Sequence, residues 1–504
     1  MKSILVFGSG NAAASLIEYL MKEAAFNNWH ITVAEIAPVT TPVISNPPSH
    51  LQTAIVLIDN DRERQQLIAA TDLVISLLPA HLHTFIIADC LRFNKHFLSP
   101  ACIDDTLAGM HAAIKQQNLL FLCEMGLDPG IDHMAAMHHI HRIKANGGVI
   151  TSFTSYCGGL ISPESDDNPW HYKMTGTHDN VVLAGINGAV FKENGAVQEL
   201  PYGQLFDPNR LIHVPGLGYL AWYPNRDSLR YMPLYGLPDA HTFIRTTLRY
   251  PEFCFGWKNI VELKLTDATR QYHTDGLTLQ QFFHEHFANH GFGEWIEKQL
   301  TARFAQSKQL LEKLHQLLEA EQEANEEERN ALQDFMMIDN KGELMDVNLD
   351  AIKSQAAATV ALQMHEANLS MKQLFFLGME DDQTIINKGI CSAAEVLQFA
   401  MEQKLLLQPA DKDLAVLQHE IGYELDGEKH LATSSLAVKG DNHLNTAMAK
   451  TTGLPLGIAA KQIFLGNIRE TGLHIPVMSS VYVPVLQELA KNGIRFEEKD
   501  ETIQ

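Results

Sequence analysis

The strongest constraint on this chain lies at its start. The apolar run Lys2–Phe7 leads directly into Gly8-Ser9-Gly10-Asn11-Ala12-Ala13, and a helical pattern opens at once over Asn11–Lys22. In a G-x-G-x-x-A turn the first glycine permits the tight strand-to-helix bend. The second lets the backbone approach a pyrophosphate, and the small third residue lets the helix pack on its strand. Free amides at the helix N-terminus then face the phosphates. Gly8, Ser9, Gly10, Asn11 and Ala12 are therefore candidate dinucleotide contacts. The bland alternative is a strand–helix turn that merely needs glycine.

The pattern that follows supports the first reading. Apolar runs recur at His30–Glu35, Ala54–Asp59, Asp72–Pro79, His96–Ala101 and Leu119–Met125, with helical stretches at Arg62–Ala70, Leu82–Arg92 and Asp105–Gln117. Strand, helix and strand at this spacing predict an α/β domain over residues 1–130, a Rossmann-type doubly wound parallel sheet. Residues 131–277 and 406–465 read as a second α/β domain with a mixed sheet, to which the family resemblance given below assigns substrate binding and dimerisation. Val149–Tyr156 and Phe243–Arg249 are its clearest strands, and Gln418–Leu425 with His430–Val438 form a hairpin. A helix over Asn445–Leu465 is expected to be interrupted near Gly453-Leu454-Pro455. Residues 278–405 read as an inserted, mainly helical domain. There Leu310, Leu311, Leu314, Leu317 and Leu318 share one helix face, and Glu326–Glu328 is a solvated run. Helices over about 466–504 are free to pack back on the first domain.

Composition narrows the function. A chain of 504 residues exceeds one compact core. A net charge of −22 argues against nucleic acid as partner and requires locally placed arginine for any anionic ligand. No apolar run reaches the roughly 18 residues of a membrane span, and the N-terminal pattern is not that of a signal peptide, so the expected home is the cytoplasm. Cys90, Cys102, Cys123, Cys157, Cys254 and Cys391 form no CxxC pair, so neither a disulfide framework nor a zinc site is expected. His133, His138, His139 and His141 are spaced so that at most one pair shares a helix face, and no metal is expected there.

Three further positions bear on a dinucleotide. Glu35, at the end of the second strand, can accept bonds from the adenine ribose hydroxyls. It would repel a 2′-phosphate, which favours NAD over NADP. Asp59 is either an adenine neighbour or a helix cap. Leu77-Leu78-Pro79 ends the fourth strand and should meet the cofactor through its backbone.

Longer motifs begin at Glu124. Glu124-Met125-Gly126-Leu127-Asp128-Pro129-Gly130-Ile131-Asp132-His133 is followed by Ser152-Phe153-Thr154-Ser155-Tyr156-Cys157-Gly158-Gly159-Leu160, Tyr223-Pro224-Asn225-Arg226-Asp227-Ser228 and Thr247-Leu248-Arg249-Tyr250. Ser434-Ser435-Leu436, Met448-Ala449 and Gly453-Leu454-Pro455 come later. In order, and over nearly the whole chain, these resemble the L-glutamate-forming saccharopine dehydrogenase (saccharopine reductase) family. The resemblance implies an NAD(P)-dependent oxidoreductase of lysine metabolism, a homodimer acting on a CH–NH group. It would interconvert saccharopine with L-glutamate and 2-aminoadipate 6-semialdehyde. It also implies that Ala101, Cys102, Tyr156, Cys157, Arg226, Thr247, Leu248 and Arg249 line the substrate site. Asp128, Pro129, Gly130 and Thr177 would lie against the cofactor. Saccharopine carries three carboxylates, and Arg226 and Arg249 suit them because a planar guanidinium pairs a carboxylate through two bonds.

The chemistry expected is hydride transfer from the carbon bearing the secondary amine, then attack of water on the iminium. Proton transfer in these steps needs a group with a pKa near the working pH. Asp128, Cys157 and His83 are candidates, and the sequence does not choose among them. Two departures from the family pattern reshape the expected pocket. Pro100-Ala101-Cys102 stands where relatives have T-S-Y, and Tyr172-Lys173-Met174-Thr175-Gly176-Thr177 where they have Y-K-F-S-W-S. The alternatives are a related dehydrogenase for another amino-acid or polyamine imine adduct, of carboxynorspermidine-dehydrogenase type, and a non-catalytic dinucleotide-binding protein.

Overall fold

The structure is a computed structural model that describes residues 2–10, 13–35, 48–174, 181–297 and 368–503, together with the backbone of Met336–Ile338 and Leu344–Asp346. Asn11, Ala12, Thr177, the leucines of 310–318 and Glu326–Glu328 lie outside the described residues. The chain divides into two compact units. One holds Met1–Asp167, His171–Phe255 and Leu405–Gln504, and the other holds Asn168–Trp170 and Gly256–Lys404.

The first unit contains both large sheets. In the first sheet, β1 (Ser3–Phe7), β2 (His30–Glu35), β3 (Leu51–Ile55), β4 (Leu73–Ser76), β5 (His96–Leu98) and β6 (Leu120–Leu122) run parallel in the order β3-β2-β1-β4-β5-β6. Strand Gly472–His474, from near the C-terminus, adds to β6, also in parallel. Helices α1 (Ala13–Asn27), α2 (Asp61–Ala69) and α3 (Ala80–Arg92) connect the early strands. The central strands β1 and β4 are covered on both faces and almost wholly apolar, whereas the edge strand β3 leaves Gln52, Thr53 and Ile55 exposed. Ile4, Val6, Ile31 and Leu122 enter one core, while Leu5, Phe7, Val74 and Phe121 enter the other.

Two expected elements shift. The third strand ends at Ile55, not Asp59, because Asn60 N donates to Leu57 O at 2.9 Å and closes a turn. The cap of α2 is Asn60, whose side chain accepts from Glu63 N, and Asp59 is left exposed in that turn. The stretch expected as one helix over Asp105–Gln117 forms two, α4 (Asp105–Ala108) and α5 (His111–Gln116).

After β6, helix α6 (Ile131–Ala145) leads to the second sheet. Its strands are β7 (Val149–Ile161), β8 (Ala189–Glu193), β9 (Ala196–Leu200), β10 (Leu211–Val214), β11 (Gly218–Pro224) and β12 (Thr242–Arg249), with the hairpin Asp413–Leu425/Glu428–Lys439 and the strand Glu497–Ile503. β12 runs parallel to β7, which is antiparallel to Asp413–Leu425, so the sheet is mixed. Register sets Arg245 beside Ser155, Ser155 beside His419, and His419 beside Ser434. The next row on that face is Thr247, Cys157, Leu417 and Leu436. This face shares its core with α6 through Phe153, Phe243, Ile421, Met134 and Ile140.

The helix expected to break at Pro455 does not. Ala447–Phe464 is continuous with Pro455 inside it. Leu456 and Ile458 are fully buried, and Gly457 lets the helix approach α1 so closely that a Cβ there would lie 2.7 Å from the Tyr19 ring. Burial of this face holds the helix across the backbone bond that proline removes. The C-terminal segment is not wholly helical either. It contributes one strand to each sheet, at Gly472–His474 and Glu497–Ile503, around the helix Ser479–Lys491.

In the second unit, helix Leu279–Asn289 starts with a reciprocal cap between Thr278 and Gln281. Its His286, fully buried, bonds Tyr272 OH at 2.7 Å and Leu263 O at 2.8 Å. Strands Arg270–His273 and Ile390–Ser392 pair antiparallel. No helix among the described residues is long and apolar enough to cross a membrane.

Candidate active site

Parallel strands bring their C-terminal ends to one edge, and in an open α/β sheet ligands sit at that edge where strand order reverses. Here the reversal falls between β1 and β4. Gly8 follows β1 with φ +98°, a conformation a side chain would strain, and a Cβ there would lie 3.4 Å from Leu77. Around Gly10 a Cβ would meet nothing within 4 Å among the described residues, so backbone there is open to an approaching group. Leu77 N donates to Phe7 O, and Pro79 occupies the N-cap of α3 without a side-chain cap bond. Bare backbone on both sides of the crevice fits a dinucleotide pyrophosphate. The Glu35 carboxylate accepts from Ser9 N, so it is turned onto the glycine loop.

The segment after β6 leaves the sheet at the same edge, since β6 is parallel to the other strands. Gly126 N donates to Pro129 O at 2.9 Å, and Ile131 N to Gly126 O at 2.8 Å, which folds Asp128-Pro129-Gly130 into a tight loop at the start of α6. Only glycine fits at 130, where φ is +152° and a Cβ would lie 2.0 Å from Gly126 O. Asp132, in the first turn of α6, accepts from Gly130 N at 2.6 Å. A carboxylate is favoured at that helix end.

Arg245, on β12, crosses to this loop. Its Nη2 lies 2.5 Å from Asp128 Oδ1 and 2.5 Å from Asp132 Oδ2, and its guanidinium sits 4.2 Å from the centre of the Tyr231 ring. Burial pushes the Asp128 carboxyl up to about 6, against the pull of Arg245. Asp132 is also buried, but His133, Arg245 and the Gly130 amide outweigh burial and hold it below its ordinary value. Below lies a second buried pair. His133 Nε2 is 2.8 Å from Glu124 Oε2, and its Nδ1 is 2.6 Å from Tyr235 OH.

The expected substrate residues divide between the two faces of the second sheet. Cys157, Thr247 and Arg249 share the face of Arg245, and burial pushes the Cys157 thiol well up. Arg249 lies beside the paired rings of Tyr172 and Phe253, at 5.6 and 5.4 Å from their centres, and donates to Leu248 O. Arg226 is exposed, with φ +50°. Neither Arg249 nor Arg226 has a carboxylate ion pair among the described residues. Tyr156 and Leu248 point to the other face, where they pack with Leu160 and Val416. There Tyr156 OH donates to Glu420 at 3.4 Å. Ala101 O accepts from Glu124 N, and Cys102 follows it, exposed, near Arg226 and Arg245.

His83 is buried against Phe97, and burial lowers its imidazole. Its Nε2 has no partner among the described residues and borders a cavity of about 30 Å³ shared with Cys102 and Asp104. Of the other histidines weighed as ligands, His139 meets Arg142 Nη2 at 2.9 Å and His141 meets Tyr482 OH at 2.8 Å. The residues missed by sequence reasoning are Arg245, Asp132, Glu124 and Tyr231. Arg245 could have been found by strand period alone, since it shares a face with Thr247 and Arg249.

Residues 4–122 match the family model described as saccharopine dehydrogenase NADP binding domain, and residues 126–494 match saccharopine dehydrogenase C-terminal domain. A Schizosaccharomyces pombe protein named saccharopine dehydrogenase [NADP(+), L-glutamate-forming] is 29% identical, with 99% of each chain covered. The Bos taurus alpha-aminoadipic semialdehyde synthase is 28% identical over 98% of this chain, which spans 47% of that longer protein. The solved apo saccharopine dehydrogenase (L-Glu forming) of Saccharomyces cerevisiae has the same fold, with TM-score 0.78 at 24% identity, covering 99% of this chain and all of that one. These matches correct the expectation of NAD, since the matched domain and the fungal relatives carry NADP in their names. The physical reason lies in Glu35. Its carboxylate is held by the Ser9 amide, so a strand-end acid here is a brace of the loop and no guide to the ribose.

Proposed function

The chain belongs to the saccharopine dehydrogenase family, and from that premise we propose that it interconverts saccharopine with L-glutamate and 2-aminoadipate 6-semialdehyde, using NADP. The observation that carries the reading is Arg249, a guanidinium set among aromatic rings on the Asp128 face, with no carboxylate ion pair among the described residues. In a chain of net charge −22, a sheltered cation without an acid partner suits an anionic substrate group.

Gly8, Ser9, Gly10 and the backbone of Leu77–Pro79 would hold the dinucleotide, whose nicotinamide accepts or returns the hydride when bound. Arg249 and Arg226 would each take a substrate carboxylate, with Thr247 beside them. Asp128, with its carboxyl near 6, suits proton exchange at the substrate amine near neutral pH. Cys157 would pack beside the reacting carbon. Its thiol, pushed well up by burial, stays protonated and is a poor base. A cytoplasmic homodimer completes the proposal. The dimer rests on the family resemblance and the cytoplasm on the N-terminal sequence pattern; light scattering of the purified chain would test the dimer.

The direct test follows the reduced-nicotinamide absorbance with saccharopine and NADP⁺, with glutamate assayed in the product. Turnover with stoichiometric glutamate supports the reading. Bound NADPH without turnover would refute saccharopine and direct attention to Cys102, where relatives carry a tyrosine.

A further inference from the structure

Arg245 was absent from every sequence expectation, yet it is the group on which the loop and the second sheet converge. We propose that Arg245 is the positioning residue for Asp128: its Nη2, anchored on Asp132, orients the Asp128 carboxylate and lets it gain and lose a proton without leaving a buried cation unpaired. The inference rests on the saccharopine reading for its reaction, though not for its geometry.

Three observations support it. First, the two carboxylates are not equivalent. Asp132 is 1% exposed and tied to Gly130 N at 2.6 Å, whereas Asp128 is 14% exposed and accepts no other bond among the described residues. Second, one nitrogen serves both acids at 2.5 Å, so protonation of Asp128 leaves Arg245 still paired to Asp132. A buried guanidinium that lost its sole partner would be heavily penalised. Third, stacking on Tyr231 fixes the guanidinium plane, and the register of β12 on β7 fixes the strand.

Charged and titratable groups reach Asp128 from every packed element. Arg245 and Arg226 favour its ionised form, as does His133, while Asp132 opposes it. Cys157 on β7, Cys102 after β5 and Tyr235 also feel its charge. The proton step is simple. The ionised Asp128 takes the N–H proton of the substrate's secondary ammonium, leaving a neutral amine, and later returns it.

The signs of the neighbours give a test that a merely structural role would not pass. Removing Arg245 takes away a cation, so Arg245→Gln should raise the Asp128 midpoint by about one pH unit or more. Removing the charge of Asp132 takes away an anion, so Asp132→Asn should lower it. Arg245→Lys keeps the charge and should restore the wild-type midpoint in part, with kcat reduced more than KM is raised. The readouts are the acid limb of kcat/KM for saccharopine and isotope-edited infrared titration of ¹³C-aspartate protein, with the Asp128 band identified by Asp128→Asn. Opposite displacements in the two variants support the proposal. An unmoved midpoint, or displacement in the same direction, overturns it. Should Arg245→Gln fail to fold, the Asp132→Asn and Arg245→Lys pair decides by the same criteria. Should the wild-type chain not oxidise saccharopine, the functional reading falls, and the infrared titration, which needs no substrate, still decides the role of Arg245.

Discussion

His133 Nε2 lies 2.8 Å from Glu124 Oε2, and both side chains are almost wholly shut from solvent, at 0% and 1% exposure. Glu124 follows β6 of the nucleotide sheet by two residues, while His133 sits on α6, the helix that meets the substrate sheet, so the pair ties the two halves of the site. Glu124 also accepts from Ile103 N and Tyr231 OH, each at 3.4 Å. Taking one partner from such a buried pair strands the other. Glu124→Ala should therefore lower unfolding free energy by about 3–5 kcal/mol, while Glu124→Gln, which keeps an acceptor, should lose less. Urea denaturation measures both, and equal losses would mean that the carboxylate is not what matters.

Arg249 and Arg226 should act on substrate and not on cofactor. A bond to a charged group is worth about 1.5–3 kcal/mol, so Arg249→Ala or Arg226→Gln should raise the KM for saccharopine on the order of 10- to 100-fold. NADPH affinity, followed by fluorescence, should stay unchanged. Weaker NADPH binding in either variant would remove that arginine from the substrate site.

Asp128 gives stability a pH dependence of definite sign. Its folded pKa is raised to about 6 from 3.8, so its contribution is complete below pH 4 and is lost as pH rises toward 6. The full loss is on the order of 3 kcal/mol. Asp132 shifts the other way, so its own transition lies below pH 4 and leaves this window to Asp128. Between pH 4 and 7 the wild-type chain should lose stability relative to Asp128→Asn. Parallel curves of denaturation midpoint against pH would contradict the assignment.

Among the six cysteines, Cys102 is exposed and the other five are buried. One equivalent of a maleimide should label the native protein, and mass spectrometry should find it on Cys102. Desolvation by neighbouring groups, which leave the side chain reachable, and the nearby Glu124 push this thiol up, so labelling should quicken as pH rises above 8. Saccharopine should slow it. No protection at saturating substrate would place Cys102 outside the pocket.

Much of the fold was readable where one physical signal dominated. The glycine turn after β1 and the apolar central strands of a sheet covered on both faces leave few alternatives. The end of β3 was misplaced because Val56 and Ile58 are buried although they follow the strand, so apolar pattern alone ran on to Asp59. The break expected at Pro455 failed because packing on Tyr19 outweighs a local propensity. For the site, motif resemblance led to Asp128, Cys157 and Arg249. It could not say that Tyr156 and Leu248 face away, since adjacent strand residues alternate sides. Arg245 escaped because a buried arginine between two acids leaves no mark in composition. Glu35 misled because its partner, the Ser9 amide, is visible only once the chain is folded.

The strand Gly472–His474, which completes the edge of β6, has a consequence for how the protein is made. During synthesis β1 to β6 emerge well before their last partner, and the chain from Leu122 to Gly472 must leave the ribosome before that edge is covered. So long a separation between paired strands slows the final closure and leaves a sticky edge open meanwhile. The nascent chain is thus a natural client for chaperones, and a ribosome that stalls late in the message leaves behind a nucleotide sheet with one side undone.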